Sequence, residues 1–371
     1  MEGDRIADLR SHTGSLVSVY AARPSPGGYA ALLSELLKPI RERADGMDRS
    51  VQKSVRNDAE RIHALADRFE VEPTPGYAIF ASDFDGIFAL ERLGHTVPNV
   101  SAIGPRPYLR PLRASPRPLR SSLLVADRSV ARTFTAVEGI VEEIGDPIGA
   151  DVGNRSWGGF SGYDEQTVRS RAEEMTVRVW REAGERLLDR HVRRPFDYIA
   201  IGSHEEMVEE IARTLHPYLA RLPRASFVAS PQTVGIPMLR AEVGALNGRI
   251  LHEQQSELAE RVCDTAWSGG NAVLGLQEVL DAANIQAIDT LVVAGEFTKP
   301  GVLCDVCGRL AREGVTCPVC GATMFEIDDI VAAVMEAGVA AGGTVTQVSV
   351  ASPLDRSGVG ALTRFPVVAL V

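Results

Sequence analysis

The sequence predicts an α/β fold built from three mixed α/β domains. Short runs of β-branched and aromatic residues alternate with longer amphipathic helical patterns along the chain. The chain has 371 residues, which is more than one ordinary hydrophobic core accommodates. Two C-x-x-C pairs in its last quarter predict a small cysteine-rich insertion. The predicted domains are residues 1–118, 119–226 and 227–371.

The first predicted domain contains two helical stretches and several short strands. Apolar residues keep helical spacing from Leu32 to about Arg43, although this stretch contains Pro39, a residue type that can kink a helix or end it early. A second helix is predicted near residues 49–69. The predicted strands lie at residues 15–21, 77–81, 87–90 and 97–103.

A proline- and arginine-rich segment ends the first domain. Residues 104–120 contain five prolines and no acidic residue, and the arginines of the segment are Arg106, Arg110, Arg113, Arg117 and Arg120. The prolines predict an extended, solvated linker between two domains. Closely spaced arginines also suit phosphate groups, so Arg110, Arg113 and Arg117 are candidate RNA contacts.

The second predicted domain carries a glycine-rich loop before a long charged helix. Strands are predicted at residues 122–128, 131–136, 139–144, 198–202 and 226–229, and helices at 163–190 and 204–219. The loop runs from Gly149 to Gly162 and contains Trp157-Gly158-Gly159-Phe160. Because strands alternate with helices, a largely parallel sheet is expected.

The third predicted domain also alternates helices with buried strands. Helices are predicted at residues 238–266, from Ala272 to Leu280, and at 330–341. Strands are predicted at residues 289–295, at 344–349 and after Gly358.

Four of the five cysteines form the two C-x-x-C pairs, and a glycine follows each pair. They are Cys304, Cys307, Cys317 and Cys320. Four thiolates in one small volume suit tetrahedral zinc better than a hard cation, whereas two disulfides or a redox-active C-x-x-C are the alternatives. We predict a zinc ribbon at residues 303–323. Its Zn²⁺ is expected to be structural, because four protein ligands leave no open position.

The bulk composition limits the class of partner. The net charge of -10 and the pI near 5.3 count against a general nucleic-acid or DNA binder, but not against RNA contacts through local patches. No apolar run reaches the length of a bilayer span, and the polar N-terminus has no signal-peptide pattern. We therefore expect a cytoplasmic protein without a membrane partner.

Several motifs follow one another in a recognisable order. Residues 270–283 read Gly-Asn-Ala-Val-Leu-Gly-Leu-Gln-Glu-Val-Leu-Asp-Ala-Ala and precede Ile288-Asp-Thr-Leu-Val-Val, and Gly360-Ala-Leu-Thr-Arg-Phe lies near the end. Leu124-Val-Ala-Asp-Arg, the glycine loop, an arginine-rich helix and Leu215-His-Pro-Tyr-Leu come earlier. This order resembles the archaeo-eukaryotic class I release factor and Pelota superfamily over residues 120–371. Some members of that superfamily insert a zinc ribbon after the strand. The first domain looks only loosely like those of bacterial members, which include a ribosome hibernation factor.

The resemblance makes the glycine loop the decisive stretch. Release factors carry Gly-Gly-Gln there, and the glutamine helps to position the water that attacks peptidyl-tRNA. In this chain Phe160 follows Gly158 and Gly159, and phenylalanine can neither donate nor accept a hydrogen bond. The family's stop-codon-reading N-I-K-S stretch also has no counterpart in residues 1–118. No catalytic residue is therefore predicted.

What the resemblance implies is a ribosome-associated, tRNA-mimicking factor without release chemistry. It would bind the A site in ribosome hibernation or stress protection, contacting rRNA and the tRNA 3′ end, with a translational GTPase as a further partner. The implied RNA contacts, together with the linker arginines, are Trp157, Gly158, Gly159, Phe160, Arg169 and Arg171. Two alternatives stay open. One is a peptidyl-tRNA hydrolase, rescue or release factor with a non-standard loop, and the other is a protein-interaction scaffold.

Overall fold

The computed structural model describes residues 6–25, 27–113, 118–149 and 163–367, except for the side chains of residues 163–169. The chain divides into two compact units: residues 1–116 together with 254–371, and residues 117–253. The predicted α/β class is confirmed, because mixed helices and sheets occur throughout both units. Within the described ranges, no helix is both long and apolar enough to cross a membrane.

The first sheet is antiparallel and has the strand order β3-β2-β1-β4. Its strands are β1 (Leu16–Ala22), β2 (Gly76–Ser82), β3 (Ile87–Leu93) and β4 (Val100–Gly104). One face packs against α1 (Tyr29–Ala44), α2 (Arg49–His63) and α3 (Ala66–Val71). Alternate residues of β1 serve the two faces, so Val17 and Val19 contact the helices whereas Tyr20 lies on the other side.

One helical prediction in this region is confirmed and one needs correction. The first helix reaches Ala44, close to the predicted end at Arg43, and Pro39 lies inside it without ending it; Leu37 and Ile40 on either side of the proline are buried against the sheet. The single helix predicted near residues 49–69 is two helices, which are separated by a tight turn at Ala64 and Leu65.

Residues 105–113 of the proline- and arginine-rich segment cover the second face of the first sheet. Leu109 is buried there with Phe80, and the Tyr20 hydroxyl donates to the Tyr108 carbonyl at 2.7 Å. A short helix, α4 (Arg110–Arg113), follows. The prediction of an extended, solvated linker is therefore wrong for residues 105–113. Apolar residues between the prolines bind this segment to the sheet.

The unit formed by residues 117–253 contains a mixed sheet with the order β10-β9-β5-β6-β7, and β8 pairs with β6. The strands are β5 (Ser121–Ala126), β6 (Val130–Val137), β7 (Ile140–Glu143), β8 (Ile148–Gly149), β9 (Tyr198–Gly202) and β10 (Arg224–Phe227). One face packs on α5 (Tyr163–Arg193), α6 (Glu205–Thr214) and α7 (Pro217–Ala220). The first half of α8 (Ile236–Trp267) packs on the other face.

The expectation of a largely parallel sheet is only half right. Strand β5 is parallel to β9, and β9 to β10, but β6 is antiparallel to β5, β7 and β8. The connection from Ala126 to Val130 is too short for the crossover that parallel neighbours need, so it can only form a hairpin.

The second half of α8 belongs to the first unit, where it packs through Ala259, Val262 and Cys263. The sheet there has the order β11-β17-β12-β16. Its strands are β11 (Ala272–Leu274), β12 (Ile288–Ala294), β16 (Thr344–Val348) and β17 (Val359–Thr363), and its helices are α9 (Leu276–Asn284) and α10 (Ile330–Ala340). The helix predicted from Ala272 instead begins at Leu276. Gly275 has a φ of 88°, which ends β11 and which residues with side chains rarely adopt.

The cysteine-bearing insertion lies between β12 and α10 and forms a three-stranded antiparallel sheet, β14-β13-β15. Its strands are β13 (Gly301–Leu303), β14 (Leu310–Ala311) and β15 (Phe325–Ile327). We call residues 301–327 the cysteine ribbon. Leu303 and Leu310 anchor the ribbon in the core of the third sheet.

A buried aspartate fastens the turn between β2 and β3 to α2. The Asp58 carboxylate accepts the backbone N–H of Asp83 at 3.0 Å, and the Ser54 hydroxyl accepts that of Phe84 at 2.7 Å. The other carboxylate oxygen of Asp58 is buried and has no hydrogen-bond partner among the described residues. Burial, opposed by the Asp83 N–H and helped by the Asp83 charge, raises the pKa of Asp58 from 3.8 to about 6.

We predict that Asp58→Asn stabilises the protein at pH 8 and not at pH 4. A raised carboxyl pKa means that the folded state favours the protonated form of Asp58. The contribution of this carboxyl group to the free energy of unfolding is therefore fully present below about pH 4 and is lost as the pH rises through about 6. The asparagine keeps an acceptor for Asp83 without the buried charge. Urea unfolding should show a gain of about 1 kcal/mol at pH 8.

The matched control is Glu35→Gln, which removes an exposed carboxylate from α1. This change should leave the free energy of unfolding nearly constant at both pH values. A gain for Asp58→Asn that is equal at pH 4 and pH 8 would contradict the assignment.

Candidate metal centre and the arginine segment

The four predicted metal ligands meet at one point of the cysteine ribbon. The sulfur atoms of Cys304, Cys307, Cys317 and Cys320 all lie within 4.8 Å of one another. The Cys304–Cys320 sulfurs are 3.4 Å apart and the Cys307–Cys317 sulfurs 3.5 Å apart. A disulfide would bring two sulfurs to about 2.05 Å, and the cysteines are free. The group can therefore hold one metal ion.

The two C-x-x-C turns repeat the same backbone geometry. The N–H of Gly308 donates to the Cys304 carbonyl at 2.9 Å, and the N–H of Gly321 donates to the Cys317 carbonyl at 2.9 Å. Both glycines have positive φ angles, of 77° and 73°. The glycine after each pair thus allows the chain to fold back tightly, which directs both sulfurs of a turn to the same side.

The donor set fits zinc. Four sulfurs around a tetrahedral Zn²⁺, each about 2.3 Å from the ion, would lie just under 4 Å from one another. The backbone N–H of Cys320, opposed by burial and assisted by that of Val319, lowers the pKa of Cys317 to about 6. The pKa values of Cys307 and Cys320 are raised instead, despite the backbone N–H groups of Arg309 and Ala322, by burial and by hydrogen bonds among the cysteine sulfurs. Binding of the metal must therefore release protons from these two thiols. All four positions of a tetrahedral ion would be filled by protein, which suits a structural ion.

The first C-x-x-C turn also contacts the arginine segment, by which we mean residues 105–113. The Arg106 guanidinium donates to the Asp305 carboxylate at 3.2 Å and to the Asp305 carbonyl at 3.3 Å. Nearby, a methyl group in place of the Gly14 hydrogen would lie only 3.0 Å from the Phe325 ring. The ribbon is therefore packed against the first sheet as well as the third.

Asp329 joins the arginine segment to the third sheet. Its carboxylate accepts from the Arg110 guanidinium at 2.8 Å and from the Tyr108 hydroxyl at 3.0 Å. The same carboxylate caps α10, since it also accepts the N–H groups of Val331 and Ala332 at 3.1 and 3.2 Å. The side chains of Arg110 and Asp329 are only 6% and 10% exposed. This ion pair is therefore almost completely shielded from solvent.

Two further ion pairs flank it. Arg113 donates twice to the Glu336 carboxylate of α10, at 3.0 and 3.3 Å, with both side chains about one-quarter to one-third exposed. Arg43 of α1 contacts Asp328, which directly precedes Asp329 in the sequence. The side chain of Asp328 is 73% exposed. Arg106, Arg110 and Arg113 thus each have an acidic partner, which lies on the ribbon, at the cap of α10 and within α10 respectively.

These contacts bear on the predicted RNA contacts. Arg110 and Arg113 have their charges engaged within the first unit, which leaves them little to offer an RNA phosphate; that role stays a prediction. Arg171 is exposed on α5. The other predicted contacts lie outside the described residues or side chains: Trp157, Gly158, Gly159, Phe160, Arg117 and the side chain of Arg169.

The sequence reasoning missed Asp329 although a signal was present. Asp328 and Asp329 come directly before the apolar run that begins at Ile330, and an aspartate in this position is a typical helix N-cap. Its partnership with Arg110 could not be read from the sequence, because the two residues are 219 positions apart.

Comparison with known proteins gives only remote similarities. No protein-family model matches the sequence, and no curated protein matches it. Among solved structures, Pelota of Archaeoglobus fulgidus is 19% identical over 78% of this chain and 80% of its own, with a TM-score of 0.37. A model of ribosome-bound archaeal Pelota and ABCE1 is 17% identical over 79% of this chain and 78% of its own, with a TM-score of 0.43. The archaeal translation termination factor aRF1 is 14% identical over 98% of this chain and 96% of its own, with a TM-score of 0.25. At these values neither a family nor a function follows.

We predict that Asp329→Ala is strongly destabilising. The change leaves the Arg110 guanidinium buried without a counter-charge and removes the cap of α10, so the loss should be about 3–5 kcal/mol. Asp328→Ala is the matched control, because it removes the adjacent, exposed aspartate and should cost less than about 1 kcal/mol. Both values can be measured by denaturant unfolding. Equal losses for the two variants would show that the buried pair is not the stabilising element.

We predict that metal removal loosens the ribbon and the arginine segment together. The purified chain should contain about one Zn²⁺, as a Cys₄ site requires, and Cys317→Ser should lose it whereas Cys263→Ser should not. After chelation, hydrogen exchange should accelerate in residues 301–327 and near Arg106, because Asp305 lies inside the first C-x-x-C turn. The sheet at 121–227 serves as an internal reference and should be unchanged. Acceleration of exchange throughout the chain would contradict a local role.

Proposed function

We propose that this chain is a ribosome-associated, tRNA-mimicking factor that binds the A site without releasing the nascent peptide. Its role would be ribosome hibernation or stress protection in the cytoplasm. The proposal takes the order of motifs in residues 120–371 as its starting point and the residue after Gly158-Gly159 as its deciding feature.

The deciding feature is a phenylalanine in a position that demands a hydrogen-bonding amide for release. Peptide release needs a group that orients water against the ester of peptidyl-tRNA, within hydrogen-bond reach. Phe160 has no such group. An aromatic ring can instead stack on an unpaired base, which is a common way for proteins to hold single-stranded RNA. Phenylalanine in place of glutamine therefore removes the group that would orient the water for peptide release, but it keeps an aromatic ring that can bind RNA by stacking.

The fold is compatible with this order of motifs. Strand β5 contains Leu124, the charged helix α5 follows the loop, and Leu215 closes α6. In the first unit, α9 precedes the buried strand β12, and the cysteine ribbon follows that strand. The Zn²⁺ that the ribbon fits would be structural, and a translational GTPase is the delivery partner that the resemblance suggests.

The proposal predicts salt-sensitive ribosome binding without peptide release. The full chain should co-sediment with bacterial ribosomes at about 50 mM salt and dissociate at several hundred millimolar, because phosphate contacts release counterions. Phe160→Ala should weaken binding by about 10-fold, the value expected for one lost base stack. Trp267→Ala, which removes an aromatic side chain that is 65% exposed, is the control and should bind as the unmodified chain does.

Release of labelled peptide from stalled ribosomes separates this proposal from its enzymatic rival. No release above background is expected from the unmodified chain. Release that Gly159→Val abolishes would overturn the proposal in favour of a hydrolase with another water-positioning group. Failure to co-sediment at low salt, combined with recovery of one stoichiometric protein partner, would favour the scaffold.

A further inference from the structure

A cavity of about 440 Å³ lies at one end of the mixed sheet in the unit formed by residues 117–253. Four arginines line it, and their side chains come from two separate parts of the chain: Arg120, Arg190, Arg193 and Arg194. Only two acidic side chains, Glu138 and Glu142, share the lining. The charged groups of the cavity therefore sum to about +2 in a chain whose net charge is -10.

The sheet topology brings these arginines together. Ser121, the first residue of β5, lies opposite Ala136 near the end of β6 and beside Tyr198 at the start of β9. Arg120 directly precedes Ser121, and α5 ends at Arg193 just before β9 begins. The start of β5, the end of β6 and the C-terminal end of α5 consequently meet at one end of the sheet, where these strands begin or finish.

None of the four guanidinium groups has an acidic partner among the described residues. Arg190, Arg193 and Arg194 are exposed. Arg120 is half-buried, its guanidinium lies 5.5 Å from the centre of the Phe196 ring, and its buried Nε–H meets no acceptor in the described part of the chain. This contrasts with the arginine segment of the first unit, where Arg106, Arg110 and Arg113 are all paired.

Stabilisation of α5 accounts for only part of this arrangement. Cations near a helix C-terminus interact favourably with the helix dipole, by about 0.3–1 kcal/mol each. That effect covers the arginines in the last turn of α5, but it does not explain Arg120, which comes from a different element and lines the same cavity. Arginines that line one cavity from two elements offer several planar guanidinium groups, each of which can donate two parallel hydrogen bonds to phosphate oxygens.

We infer that this cavity binds phosphate groups of an RNA backbone. The choice of RNA over a small anion rests on the proposed function and on the exposure of three of the four arginines, which suits an extended polyanion better than an enclosed ligand. The cavity is a second RNA site: α5 spans residues 163–193, so its two ends are about 45 Å apart. The cavity lies at the C-terminal end of α5, whereas the glycine-rich stretch precedes the first residue of α5 in the sequence.

The test compares two double variants of the same helix. Arg193→Gln with Arg194→Gln removes two cavity charges, and Arg178→Gln with Arg181→Gln removes two exposed arginines of α5 that do not line the cavity. Binding of a fluorescent single-stranded oligoribonucleotide to the full chain is followed by anisotropy across a salt series. The cavity variant should bind about 10-fold more weakly at low salt, and the slope of log K against log salt should fall in magnitude by about 1.4, or 0.7 per lost phosphate.

The control variant should retain affinity within about 3-fold, since its charges lie away from the cavity. Equal losses in the two variants would overturn the inference, because they would show only a general charge effect. Unchanged RNA binding by the cavity variant would overturn it as well. Displacement of the RNA by micromolar inorganic pyrophosphate would reassign the cavity to a small anion. Thermal melting of each variant should match the unmodified chain, as expected for exposed side chains.

Co-sedimentation distinguishes failure of this inference from failure of the proposed function. If the unmodified chain and the cavity variant bind ribosomes equally, the cavity is not an RNA site and the proposed function survives. If neither sediments with ribosomes but the oligonucleotide still distinguishes the two double variants, the proposed function fails and the cavity remains an RNA site.

Discussion

The unit that contains the first and third sheets depends on the carboxylate of Asp329. One side chain accepts the N–H groups of Val331 and Ala332, the Tyr108 hydroxyl and the Arg110 guanidinium. Burying an ion pair costs several kcal/mol in lost hydration, and the cost is recovered only when hydrogen bonds satisfy the remaining lone pairs. Asp329 meets that condition through the helix N-terminus that it caps. The cap of α10 and the attachment of the arginine segment are therefore a single interaction.

The cysteine ribbon takes part in the same attachment. Arg106, Arg110 and Arg113 are spaced so that each meets a different acid, on the ribbon, at the α10 cap and within α10 respectively. The first of these acids, Asp305, lies between two of the metal ligands. Holding the C-x-x-C turn in shape consequently also holds the partner of Arg106. The ribbon has a packing role within the first unit, in addition to any partner that its exposed valines contact.

Local patterns predicted the elements well, and long-range pairing was what they could not predict. Period-2 and period-3.6 repeats placed most strands and helices, and the C-x-x-C spacing placed the four sulfurs. Five prolines suggested a solvated linker because nothing near residues 105–113 in sequence reveals acids that lie about 200 positions away. The arginine cavity was hidden for the same reason, since Arg120 and Arg193 are distant in sequence and adjacent only through the register of β5 and β9.

The pairing of the linker arginines changes where positive charge is available for RNA. An acidic chain repels a polyanion at long range, but salt screens that repulsion beyond about 8–10 Å, so contact with RNA is decided by local groups. Arginines that are already paired contribute little to it. The arginines at the end of α5, and Arg120 beside them in the cavity lining, have no acidic partner in the part of the chain that the structure describes. In the proposed function the aromatic loop would supply stacking and this cavity would supply phosphate contacts. The factor could then be held on the ribosome reversibly, at two points, without a catalytic group.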